Sequence, residues 1–141
     1  MGSGSTVEFI MQELGIRNTL LGVDVIKNKK LLASDVTAPE LLTMTAKQNC
    51  KLVLTLIGGQ AHIIGRGNQQ LSADFLKQLG KDNILLVATK SKLQNLSGRP
   101  LIVDSGDMPT DQQLSGLISI ITGYHDQVLY PVADLHSKEI V

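Results

Sequence analysis

The sequence predicts an α/β domain: a mostly parallel sheet of five or six strands with helices on both faces. Three observations point there. Helix-like and strand-like segments alternate along the chain. The strand-like segments at 51–57 and 83–88 are nearly continuous Val, Ile and Leu, as in strands buried on both faces. At 141 residues the chain suits a single domain, set at 1–133, with a polar tail at 134–141.

The elements follow in order. Val7, Ile10, Met11 and Leu14 recur at helical spacing. Ser5 with Glu8 makes a capping box in front of them, and Gly15 is a natural stop. Residues 19–26 read as a strand. Lys27-Asn28-Lys29-Lys30 reads as a turn into Leu31-Leu32-Ala33, which predicts a short hairpin. Thr37-Ala38-Pro39-Glu40 is a second capping box with proline in the first turn, and its helix should run to Gln48. The strand at 51–57 comes next. Ser72 caps a helix with Phe75, Leu76 and Leu79 on its inner face, ended by Gly80. A strand at 83–88, a short helix at 91–96 closed by Gly98, and a strand at 100–103 follow. Thr110-Asp111-Gln112-Gln113 is a third capping box. Leu114, Leu117, Ile118 and Ile121 extend it into a predicted helix that stops at Gly123. The last strand, 127–132, carries Pro131 and should be an edge.

Composition removes several functions. The formal charge is zero, so neither nucleic acid nor an anionic membrane surface is an expected partner. Two Phe, two Tyr and no Trp leave no stacking platform for single strands. Cys50 is the only cysteine, which rules out a disulfide or a thiolate metal site within the chain. His125 and His136 show no metal-ligand spacing, and His62 suits a hydrogen bond to a ligand or else the surface or a satisfied core, so no metal site is expected. No serine stands in a nucleophile elbow. No apolar run approaches the ~20 residues that span a bilayer, and the first residues lack the parts of a signal peptide. A cytoplasmic location fits.

The densest polar feature is the connection at 58–71. Gly58, Gly59, Gly65 and Gly67 let its backbone approach a ligand closely. Arg66 offers a planar cationic fork, and Gln60, Asn68, Gln69 and Gln70 offer amides. The alternative is an ordered loop packed by its own Ile63 and Ile64. Gly2-Ser3-Gly4-Ser5-Thr6 opens directly into a helix, where hydroxyls and free amides favour an anion. The same residues also read as an expression scar, and because no strand precedes them the chain looks cut at its front. Lys90 and Lys92 suit phosphate as point charges, or are simply solvated. Asp104 and Asp107 suit a ribose hydroxyl or magnesium, or else helix capping and turn chemistry. Asp24, ending a strand-like run, is the one weak candidate for proton transfer. In a parallel sheet, function gathers at the carboxyl ends of strands. Residues 2–6, 58–71, 89–92 and 104–107 are therefore expected on one rim.

Several of these stretches occur in a telling order: Leu20-Leu21-Gly22-Val23-Asp24-Val25, Ile57-Gly58-Gly59-Gln60, Gly65-Arg66-Gly67-Asn68-Gln69-Gln70-Leu71-Ser72, the run 83–93, Val103-Asp104-Ser105-Gly106-Asp107, and Thr122-Gly123-Tyr124. Together they resemble the C-terminal part of the ATP-NAD kinase-like proteins, a family that includes acetoin catabolism protein X. The resemblance implies a longer polypeptide whose front half is a nucleotide-binding domain with a Gly-Gly-Asp-Gly motif. That motif is absent here, and Gly58-Gly59-Gln60 lacks its acidic residue. The implied acceptor is NAD and the implied donor ATP or polyphosphate, with a divalent metal such as magnesium. The fragment alone should be inactive, its partner being the missing N-terminal domain, and homo-oligomers are expected. Gly2 to Thr6 is also similar to the phosphate loop of glucosamine-6-phosphate deaminase, ribose-5-phosphate isomerase and sugar-sensing repressor domains. That likeness offers a sugar-phosphate sensor or isomerase-like domain as an alternative; a scaffold or oligomerisation domain is another.

Overall fold

The computed structural model describes residues 1–2, 5–16, 23–56, 61–65 and 70–134. The first helix, α1 (Ser5–Glu13), ends at Gly15, whose positive φ of 70° supplies the left-handed turn expected there. Strands β1 (Val25–Lys27) and β2 (Lys30–Ala33) form the predicted hairpin, with Lys27 opposite Lys30. Its two turn residues, Asn28 and Lys29, have φ of 54° and 62°, as a primed two-residue turn demands. Helix α2 (Ala38–Thr45) starts where the capping box places it, with Thr37 accepting from the Glu40 amide. It stops at Thr45 rather than at Gln48.

The main sheet has four strands in the order β3–β5–β7–β8. These are β3 (Leu52–Leu54), β5 (Ile84–Val87), β7 (Gly116–Gly123) and β8 (Asp126–Val132). The two predicted apolar strands are neighbours and parallel, with Leu54 opposite Leu86. Strand β7 continues the parallel run, while β8 returns antiparallel at the edge. The sheet is therefore mixed, and smaller than the five or six mostly parallel strands expected. Met1 and Gly2 add main-chain bonds beside it. Gly2 N donates to Val53 O at 2.9 Å, the Met1 ammonium donates to Asp24 O, and the Asp24 amide donates to Met1 O.

The predicted helix through Leu117, Ile118 and Ile121 is wrong. Helix α5 (Met108–Leu114) ends early, and those residues lie in β7. Their spacing fits both periods, but Ile118, Ile120 and Ile121 crowd a helix and suit a pleated strand. Ile118 and Ile120 face the core while Leu117 and Ser119 face out. The cap is Asp107, not Thr110.

A second correction concerns residues 58–71. They contain a strand, β4 (His62–Ile64), paired in parallel with β6 (Ile102–Val103). Ile63 and Ile64 are buried in the core, which matches the alternative reading of this stretch. Helix α3 (Ala73–Leu79) carries Phe75, Leu76 and Leu79 inward, with Ser72 as its cap and Gly80 after it. A short helix, α4 (Lys90–Gln94), follows β5.

The core gathers α2, α3, α5 and the β4–β6 pair on one face of the main sheet. Val7 and Met11 of α1 are fully buried but lie outside that cluster. Leu117 and Leu129, on the opposite face, are exposed. The expected cover of helices on both faces is thus complete on one side only.

Candidate functional site

Strand direction decides which predicted residues can meet. Strands β3, β5 and β7 run one way and β8 the other. Leu101 pairs in parallel with Val132, at the end of β8, so β6 runs with β8 and β4 runs with β6. The carboxyl ends of β4 and β6 therefore lie at the amino-end side of β3, β5 and β7. Two contacts agree. Lys77, in the last turn of the helix at 73–79, holds Asp107 at 3.1 Å, and Lys81, in the turn just before β5, donates to the Ser115 carbonyl, next to β7, at 2.7 Å. The single expected rim is in fact two.

The rim at the carboxyl ends of β3 and β5 brings the start of α1 beside the start of α4. Lys92 Nζ donates to Thr6 Oγ1 at 3.2 Å. Thr89 caps α4 by accepting from the Lys92 amide, and its hydroxyl lies 3.2 Å from that of Ser91. Gly2 packs so tightly here that a Cβ would sit 2.8 Å from Leu54 Cδ2. Lys90 does not join Lys92. It pairs with Asp126 at 2.9 Å, and that hydrogen bond, with help from Thr122, holds the Asp126 carboxyl below its usual range. Ser3, Gly4, Gly58, Gly59 and Gln60 lie outside the described residues.

The opposite end holds Gly65 and Asp104, joined by the Asp104 amide donating to Ile64 O at 2.9 Å. Asp107 is occupied as the α5 cap. It accepts from the Thr110 amide and, at 2.6 Å, from the Thr110 hydroxyl. The Thr110 hydroxyl first, then Lys77 beside it, holds its carboxyl below the ordinary value of 3.8. Asp111, read from sequence only as part of a capping box, is a buried acceptor for the amide and hydroxyl of Ser105. Capping and turn chemistry is what this cluster does. Arg66, Gly67, Asn68 and Gln69 lie outside the described residues. Gln70 donates to Asp35 at 2.9 Å, a bond that fastens the two loops together.

Asp24 is fully buried, and its Oδ1 accepts the Asp35 amide at 2.9 Å. That geometry makes it a structural acceptor at the foot of the β1–β2 hairpin. It borders a concavity of about 320 Å³ that includes Leu41, Leu52 and Phe75. A concavity of about 450 Å³ between Lys47, Lys51, Gln78 and Asn83 opens at the amino ends of β3 and β5. Neither concavity includes Thr6 or Lys92 in its lining. Among the described residues no group of three or more His, Cys, Asp or Glu could hold a metal, and no helix is long and apolar enough to cross a membrane.

Sequence reasoning passed over Thr55, at the carboxyl end of β3. It is 5% exposed, and its hydroxyl has no hydrogen-bond partner among the described residues. The signal was present: Thr55 is the one polar residue in the run 52–57.

No curated protein and no solved structure matches the chain. A family model does, over residues 1–132. It spans every element described above, from Met1 beside β3 to the end of β8. The chain belongs to the ATP-NAD kinase C-terminal domain family.

Proposed function

We propose that this domain supplies a phosphate-gripping rim to an NAD-phosphorylating site. The observation that carries the reading is the Lys92–Thr6 bond. It holds a cation against the first turn of α1, at the strand ends where α/β sheets bind ligands. The free amides of a helix start and an ammonium charge both favour phosphate oxygens. Gly2, Ser3, Gly4, Ser5 and Thr6 would form the cradle, and Gly58, Gly59 and Gln60 follow β3 in sequence. Lys90 contributes only if it leaves Asp126.

Family membership supports NAD as acceptor and ATP as donor in the full-length protein. Phosphoryl transfer depends on positioning and charge, with little covalent work by the protein. This chain's share is to hold and orient a phosphate. The donor set at the rim is hydroxyls, amides and a lysine, which suits phosphate oxygens and not a magnesium ion. Asp104 and Asp107 lie at the other end, so a divalent metal would be held by residues beyond this rim. The reading places the protein in the cytoplasm as a homo-oligomer whose second nucleotide-binding surface is an N-terminal domain.

The chain by itself should not phosphorylate NAD, because it carries no Gly-Gly-Asp-Gly motif. The test is NADP formation by the purified chain with magnesium and ATP. A rate equal to the blank is expected; a rate above it contradicts the reading.

A further inference from the structure

A buried hydroxyl without a partner costs stability, so it calls for an explanation. Thr55 is such a group, and valine would fill nearly the same space without that cost. Its neighbours Leu54 and Leu56 belong to the core cluster, so the alternation of β3 turns Thr55 to the other face with Val53. At the outer edge of β3, Val53 O accepts the Gly2 amide at 2.9 Å, and α1 begins three residues later. Continuing the register from Leu54 and Leu86 sets Thr55 level with Val87, two residues before the Thr89 cap of α4. The hydroxyl thus stands at the end of β3, between the chain segments that lead into the two helix starts joined by Lys92 and Thr6.

We infer that the Thr55 hydroxyl is a ligand-reading group of this rim, donating to an oxygen of a bound phosphoryl group. The inference rests on the phosphate-rim reading and adds a residue to it. The free protein tolerates the unpaired hydroxyl because the ligand supplies its partner. The ligand class is a phosphate ester or pyrophosphate, whose oxygens accept from Thr55 while Lys92 and the α1 amides balance the charge.

The experiment measures binding of inorganic pyrophosphate and of ATP to the full chain by calorimetry, beside its melting temperature without ligand. Thr55→Val should melt a few degrees higher and bind pyrophosphate roughly tenfold more weakly, as for loss of one hydrogen bond to a charged group. Thr55→Ser keeps the hydroxyl and should bind nearly as the parent does. Thr55→Ala repeats the binding comparison if the valine variant fails to fold. Unchanged binding by Thr55→Val or Thr55→Ala overturns the inference. If Lys92→Met weakens binding while Thr55→Val does not, the rim reading survives and the Thr55 role falls. If the parent chain binds neither probe, both fall together.

Discussion

Lys92 Nζ donates to Thr6 Oγ1 at 3.2 Å, across 86 residues of sequence. The bond ties the start of α1 to the start of α4 and fixes the spacing of the carboxyl-end rim. A lysine ammonium has three donors, so Lys92 can keep Thr6 and still meet an anion. That pre-organises Lys92 at the rim.

The entry to α1 depends on Gly2. An alanine Cβ there would lie 2.8 Å from Leu54 Cδ2 and 3.3 Å from the Val53 carbonyl oxygen. The leucine tip can shift, but the backbone oxygen cannot move without disturbing β3. Gly2→Ala should destabilise the domain by about 1–3 kcal/mol, the usual scale of overpacking. Urea unfolding checks this, and an unchanged midpoint would contradict the packing described.

Acid stability should carry the signature of Asp107. The Thr110 hydroxyl first, then the Lys77 ammonium, lower its carboxyl from 3.8. A carboxylate lowered on folding stabilises the native state above its unfolded pKa and loses that contribution as pH falls through its folded value. Melting temperature should therefore fall more steeply below about pH 4 in the parent than in Asp107→Asn, which can still cap α5. Identical acid limbs would mean that the carboxylate is not engaged as described.

Much of this fold is legible in the sequence, and the reasons are local. Thr37 and Ser72 mark helix starts because their hydroxyls take orphan amides. Lys27 to Lys30 marks a hairpin, and the runs at 51–57 and 83–88 mark paired parallel strands. Two things were not legible. Leu114, Leu117, Ile118 and Ile121 fit a helical stripe, and only pairing of Ile120 with Leu86 and Val128 makes the segment a strand. The direction of β6 follows from one non-local contact, Leu101 with Val132, and that contact moves Asp104 away from Thr6. Candidate residues on α1 and α4 could be recognised as neighbours from alternation; those after β4 and β6 could not.

Arg66 gives a test of that separation. It follows in sequence Gly65, which lies at the opposite end from Thr6 and Lys92. As a bidentate anion clamp it should lose about 1–3 kcal/mol of ligand binding in Arg66→Lys, with stability unmoved. Two separate contacts should also add, so the Arg66→Lys, Lys92→Met double variant should show the sum of the single losses within roughly 0.5 kcal/mol. A lower melting temperature with unchanged ATP affinity would instead make Arg66 an internal salt bridge.

The most direct measurement is heat protection of the full-length protein by NAD, by ATP and by glucosamine 6-phosphate, with and without Lys92→Met. A ligand at a hundred times its Kd should stabilise the native state by about 2.7 kcal/mol. Protection by NAD or ATP that Lys92→Met weakens, with indifference to the sugar phosphate, is the result predicted here. Protection by the sugar phosphate alone, or nucleotide protection that ignores Lys92, would contradict the claim that this rim serves an NAD-phosphorylating site.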